Sequence, residues 1–403
     1  MKEATALPDG RERDDAIKLT VAKGMGDLPA AQWDACAGGN PTLRHAFLSA
    51  LEDSGTTTAE TGWMPRHLAI WSEAEPGRLL AAAPLYVKNH SYGEYVFDWG
   101  WTDAYERAGG RYYPKLQCSV PFTPVPGRRL LLRSDLKPGE PDARDLSDAL
   151  LAGMVQLGDQ NKLSSLHVTF CEKAEWDLGG EMGLMRRKGL QYHWRNQGYE
   201  DFDGFLAALA SRKRKNLRKE RERARAGGIE IKRLTGAELK PGHWDAFHRF
   251  YLSTVDKKWA QAYLNREFFQ LLGERMADSV LLVMAEMDGH PVAGALNLIG
   301  EDALYGRNWG ALAEFDNLHF ECCYYQAIKF AIERGLARVE AGAQGEHKIR
   351  RGYLPVETYS LHWIADPALA EPVANFVERE AESIEEDARL LMEHSPYRQT
   401  GES

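Results

Sequence analysis

Apolar and polar positions along the chain change period repeatedly, and each change marks an element. Ile17 to Val21 reads as a short strand, followed by helices over Pro29 to Ala37 and His45 to Gly55; Phe47, Leu48 and Leu51 share one face of the second. His67 to Ser72 and Leu79 to Lys88 read as strands paired across Glu75-Pro-Gly-Arg78. Tyr95 to Trp101 predicts a further strand, and Asp103 to Ala108 a short helix. Tyr112 to Pro126 is rich in aromatics and prolines and predicts an irregular, ordered loop. A helix over Asp142 to Asp159 and strands at Leu166 to Phe170 and Leu190 to Arg195 close the first half.

The second half repeats that order. A helix capped by Asp201 or Asp203 runs into a basic stretch that stops at Gly227-Gly228. Ile229 to Leu234 is a strand, and His243 to Thr254 and Arg266 to Met276 are helices. A hairpin follows over Val280 to Met287 and Pro291 to Ile299, then a strand at Ala303 to Trp309 and an apolar helix from Leu318 to Arg334. Arg338 to Ala341 and Thr358 to Ile364 are strands, and Pro372 to His394 is an acidic helix. The repeated order predicts a duplicated domain with its boundary near Asn196: a disordered leader over residues 1–16, an N-terminal domain over 17–195, a connecting helix over 196–228 and a C-terminal domain over 229–403.

Composition narrows the class. A hydrophobic fraction of 44% and a charged fraction of 27% are those of an ordinary globular protein. The longest apolar run, Leu79 to Val87, is too short to span a bilayer, and residues 1–15 lack the apolar core of a signal peptide. Five cysteines at wide spacing and twelve histidines without ligand spacing predict neither a disulfide framework nor a metal site, and fit a cytoplasmic protein. Residues 212–225 hold nine cations and two acids. Taking them away leaves 41 Lys+Arg against 57 Asp+Glu, a net charge of -16. A basic segment on an acidic body points to a local anionic partner, although charge runs are often only a solvated helix face.

One stretch mixes residue types beyond any packing need: Glu340-Ala-Gly-Ala-Gln-Gly-Glu-His-Lys-Ile-Arg-Arg-Gly-Tyr-Leu-Pro355. Loops of this kind after strands commonly carry function. Glu340, Glu346 and His347 are candidate proton acceptors, and Lys348, Arg350 or Arg351 candidates to hold a phosphate or an oxyanion. Upstream, His319 and Glu321 begin a helix just past the strand holding Arg307. His319 is there either as a cap or buried hydrogen-bond partner, or as a base.

The segments PLYVKNHSYGEYVFDWGW, YYPKLQCSVPFTPVPG, SRKRKNLRKER, LYGRNWG, LHFECCYYQAI and EAGAQGEHKIRRGYLPV resemble the FemAB-like predicted N-acyltransferases, across roughly residues 17 to 398. The resemblance implies an α/β fold of two tandem GNAT-like domains with mixed sheets. It implies amide formation by direct transfer of an acyl or aminoacyl group to a small-molecule or peptide amine. The donor is aminoacyl-tRNA or acyl-CoA, with no tightly bound cofactor. Gly310 to Leu318 lacks the glycines that hold a CoA pyrophosphate and carries Glu314 and Asp316, which favours tRNA. The resemblance puts His319, Glu321, Glu340, Glu346, His347 and Lys348 among the catalytic candidates. Lys88, His90, Tyr92, Glu94, Arg307, Trp309, Gln344, Arg350, Arg351 and Tyr353 are candidate substrate contacts; Arg212, Lys213, Lys215, Arg218 and Lys219 are candidate phosphate contacts. A non-catalytic polyanion-binding module, or an acyltransferase working at a membrane surface, would use the same basic helix.

Overall fold

The computed structural model describes residues 17–257, 262–342 and 345–398. The expected leader and Gln344 lie outside these residues. The first half holds β1 (Ile17–Ala22), β2 (Trp63–Pro65), β3 (His67–Ser72), β4 (Leu79–Ala83), β5 (Leu85–Lys88), β6 (Lys115–Cys118), β7 (Leu131–Leu132), β8 (Ser165–Cys171) and β9 (Met185–Arg195). The second holds β10 (Ile229–Leu234), β11 (Val280–Met287), β12 (His290–Ile299), β13 (Ala303–Ala311), β14 (Arg338–Glu340) and β15 (Leu354–Ile364).

They form two mixed α/β units joined by one long sheet of eleven strands, in the order β10-β11-β12-β13-β14-β9-β15-β8-β6-β5-β2; β1-β3-β4-β7 make a second sheet. The halves exchange their last strands. β9 lies antiparallel to β14 of the second half, and β15 lies antiparallel to β8 of the first. The two exchanged strands pair with each other from Met185 to His193. The helices also share a core: Phe47 meets Phe268 edge-on at 5.8 Å, beside Leu51 and Leu272.

Several expectations are corrected. The run read as one strand, Leu79 to Lys88, is cut at Pro84, which has no N–H for a ladder; β4 and β5 go to different sheets. Tyr95 to Trp101 is not a strand. Tyr95 turns with φ 61°, and a helix begins at Trp99, because Glu94 and Asp98 are drawn inward by Lys115. The expected loop Tyr112 to Pro126 contains β6, buried at all four positions between β5 and β8. The helix after Asp201 breaks at Leu209–Ala210 before the basic helix Ser211–Ala224. The helix from Leu318 contains a π-turn over Glu321–Tyr325, a widening that recurs at functional sites.

One glycine fixes the approach of a helix to the sheet. A Cβ on Gly310 of β13 would lie 2.1 Å from the carbonyl oxygen of Phe250, in the helix Pro241–Lys257. Backbone cannot step aside as a flexible side chain can. Gly310→Ala is therefore expected to destabilise the protein by about 3 kcal/mol or more, measured as a lower urea midpoint.

Candidate active site between the two halves

β13 and β14 run parallel for three rungs, ending at Tyr305 and Glu340. β13 then continues to Ala311 without that neighbour. On its other side the register with β12 slips: Gly306 faces Asn297 and Trp309 faces Ala295. Arg307 and Asn308 thus bulge from the strand with no rung partner among the described residues. A bulge beside diverging strands re-aims backbone groups, and here it opens a cleft in the sheet.

Alternation sorts residues at the cleft onto two faces. Tyr305 packs into the core shared by the halves, while Leu304 and Val339 pack on the other side, under the helix Gln326–Glu333. Glu340, the rung partner of Tyr305, belongs to the first face. So does Arg307, whose Nη2 donates to the Phe122 carbonyl and, at 2.9 Å, to Thr123 Oγ1. Loss of water lowers the Arg307 pKa to about 10.

On this face lies a cavity of about 270 Å³. Its walls come from the loop after β5 (Tyr92, Tyr95, Phe97 and Trp99), from Phe122 and Pro124 after β6, and from Tyr263, Asn308 and Gly342. Beneath the loop sits a buried charge network. Lys115 donates to Glu94 Oε2 (2.8 Å), Asp98 Oδ2 (2.5 Å) and Ser91 Oγ (2.8 Å). Lys88 lies 3.5 Å over the Trp63 ring and donates to the Tyr92 carbonyl and to His90 Nδ1. Desolvation lowers Lys88 to about 7 and raises Glu94 to about 7. Asp98 is held well below its usual range by Lys115, whose ammonium is strengthened by Glu94 and Asp98 against the cost of burial. Lys88, His90 and Glu94 therefore shape the cavity from below, whereas Tyr92 reaches it.

Glu340 ends β14, two residues before Gly342. Its Oε1 accepts from Arg338 Nε at 2.9 Å; its buried Oε2 accepts no hydrogen bond among the described residues, with His193 Nε2 at 4.0 Å. Burial raises Glu340 to about 7 and lowers His193 to about 3. A carboxylate that is buried, half-satisfied and poised near neutrality has the chemistry of a general base.

The other candidates gather on the opposite face. Trp309, His319, Phe320, Tyr324 and His347 form an aromatic cluster, with Tyr324 OH and His347 Nε2 3.0 Å apart. Burial lowers the His347 pKa. Instead of an open loop, Glu346–Arg351 coil into a short 3-10 turn that ends at Gly352 with φ 91°. Glu346 and Arg350 point to solvent, and Tyr353 is fully buried with its OH donating to the Tyr324 carbonyl. Lys348 is buried, lowered to about 8 by desolvation, and donates to the Gly342 carbonyl at 2.9 Å. It is the side chain that ties this face to the cavity.

Two expected site residues turn out to fasten the basic helix. Glu321 is fully buried and accepts from Arg221 (3.0 and 3.1 Å), Arg225 (3.0 Å) and Gln326 (2.7 Å). With both oxygens taken, it is not free to act as a base. Arg351 donates to Glu220 and to the His347 carbonyl, with its guanidinium 3.4 Å from the Phe320 ring centre. Its charge is spent within the protein rather than offered to a substrate. Glu321→Ala would remove the buried partner of Arg221 and of the half-exposed Arg225 and is expected to cost about 3 kcal/mol in chemical denaturation. Leu217 and Ala224 bury the apolar side of the helix. Arg212, Lys213, Lys215 and Lys219 make no ion pair or hydrogen bond among the described residues, while Arg218 meets Asp203 at 3.6 Å.

The sequence reading missed Lys115, Asp98, Asn308, Arg338, His193 and Glu220. Lys115 at the head of an apolar strand was the one visible signal, since an isolated cation there must be paired.

Among the described residues no group of three or more His, Cys, Asp or Glu is placed to hold a metal, and no helix is long and apolar enough to cross a membrane. The FemAB-like family model, described as peptidoglycan biosynthesis/recognition, matches residues 24–399. Solved structures with a similar fold include FemX (12% identity, 80% of this chain and 93% of that one, TM-score 0.49). L-PGS from Bacillus licheniformis matches at 10% identity over 82% and 95% of the two chains, TM-score 0.48. A tandem GNAT protein from the clavulanic acid biosynthesis pathway matches at 11% over 87% and 99%, TM-score 0.43. No curated protein matches the chain significantly.

Proposed function

The chain belongs to the FemAB-like family, a membership that supports an acyltransferase-type function, and from it we propose an N-acyltransferase working through the cleft between β13 and β14. The observation that carries this reading is the two-sided cleft: an aromatic cavity on one face, with buried Glu340 two residues before its Gly342 wall, and the basic helix, with cations unpaired among the described residues, on the other. The acceptor amine occupies the cavity and the donor's carrier lies along the basic helix. Aminoacyl-tRNA suits those cations better than acyl-CoA does, because the segment before Leu318 has no glycine-rich phosphate loop.

In the mechanism proposed, the acceptor arrives as an ammonium and gives a proton to the Glu340 carboxylate. The freed nitrogen attacks the acyl carbonyl, forming the C–N bond. The carbonyl oxygen becomes an oxyanion, held by backbone N–H groups of the Arg307–Asn308 bulge. The intermediate collapses by breaking the bond to the ribose oxygen of tRNA or to the sulfur of CoA. The leaving atom takes up a proton from the nitrogen, directly or through water, and the proton on Glu340 passes to solvent. Lys348 steadies the end of β14 through Gly342.

The test is a binding screen against charged tRNA and acyl-CoA, followed by amine-dependent release of the acyl group. Binding of tRNA without consumption of any donor would favour the alternative, a polyanion-binding module.

A further inference from the structure

The cavity walls carry a chemical preference of their own. Six aromatic rings line it: Tyr92, Tyr95, Phe97, Trp99, Phe122 and Tyr263. Three are unusually open for such large groups, with Tyr92 50%, Phe97 51% and Trp99 39% exposed. Tyr92 and Trp99 meet at 5.0 Å and 60°, and Phe122 stacks on Tyr263 at 5.0 Å and 13°. Four of the six rings are therefore braced in pairs, while Tyr92, Phe97 and Trp99 still present surface.

Charge is nearly absent. Among the described residues Arg307 is the one charged side chain lining the cavity, and its Nη2 is engaged by Phe122 and Thr123. Lys88 and Lys115 lie close below but are buried, and their ammonium groups are taken by Glu94, Asp98 and neighbouring oxygens. A phosphate or diphosphate placed here would meet one cation, through Nε and Nη1 of Arg307, among six rings. An ammonium, in contrast, is attracted to the faces of aromatic rings, and a flat apolar body recovers area against them. Asn308 adds a side-chain amide that makes no hydrogen bond among the described residues.

We propose, resting on the acyl-transfer reading above, that the acceptor is a small amine carried on an aromatic or apolar body. Room for a longer body exists, because Tyr95 and Phe97 also border a second cavity of about 210 Å³ lined by Gln191, Thr358 and Ser360.

The experiment is equilibrium binding to the full chain without donor, by calorimetry, with three probe amines: tryptamine, cadaverine and UDP-glucosamine. Tryptamine is expected to bind most tightly and UDP-glucosamine most weakly. Trp99→Ala combined with Tyr92→Ala should weaken tryptamine by about tenfold, while Lys18→Glu, on exposed β1 surface, leaves it unchanged. Phe97→Ala gives an independent check on another open ring, and circular dichroism confirms that each variant is folded. Tighter binding of UDP-glucosamine, no binding of tryptamine, or indifference to the ring substitutions would each overturn the proposal. Since no donor is present, tryptamine binding with no transfer in a donor assay would count against the acyltransferase reading alone.

Discussion

Glu340→Gln is expected to slow acyl transfer by roughly 10²–10⁴-fold, the usual contribution of a positioned general base, while leaving acceptor and donor binding within about twofold. The glutamine keeps the shape and the oxygen that accepts from Arg338, but cannot take a proton. A pH profile separates this from a loss of fold. Burial raises Glu340 to about 7, so wild-type transfer should rise as pH increases toward 7 and then level, and the variant's residual rate should lack that limb. Stability moves the other way. A carboxyl whose folded pKa lies above its unfolded value favours the folded state at low pH, and that contribution is lost as pH rises through the folded pKa. Between pH 5 and pH 8 the wild type therefore loses stability that the neutral variant keeps. The difference in Tm, variant minus wild type, should increase over that range. A residue that only braces the strand would lower rate and Tm together without this crossing.

Lys213→Glu with Lys215→Glu is expected to weaken tRNA binding by roughly a hundredfold at 0.1 M salt. The slope of log affinity against log salt should become shallower by about two, one for each phosphate that the lysines no longer neutralise. Neither lysine pairs among the described residues, and the helix is fastened through Leu217, Glu220, Arg221 and Arg225, so the double variant should fold normally. Glu340→Gln should bind tRNA as the wild type does. If anisotropy with charged tRNA gives the same affinity and slope for the double variant, the basic helix is a solvated surface and the donor lies elsewhere.

The fold was legible where local pattern decides it. The hairpin across Asp288-Gly-His290, the acidic C-terminal helix and the repeated order of elements all rest on periodicity and turn chemistry. The exchange of β9 and β15 was not legible, because an antiparallel partner is chosen by tertiary contact and leaves no mark on either strand. Glu94 and Asp98 illustrate the same limit. Their turn was misread as a strand since Lys115, which draws them inward, lies 21 and 17 residues away. In the candidate site, sequence found the residue types but not their faces. His347 and Glu340 stand seven positions apart, yet the cleft separates the aromatic cluster of one from the cavity side of the other. Glu321 and Arg351 stood out as charges in a polar stretch. Only their partners on the basic helix reveal that they hold the structure together.

The most direct test of the central claim is a single-turnover reaction. Enzyme in excess is mixed with a trace of labelled aminoacyl-tRNA or acyl-CoA, with and without a panel of primary amines. The expected result is amine-dependent appearance of a labelled amide from one of the two donors, abolished by Glu340→Gln. Consumption of neither donor, or an amide formed equally fast by the Glu340→Gln protein, would contradict it.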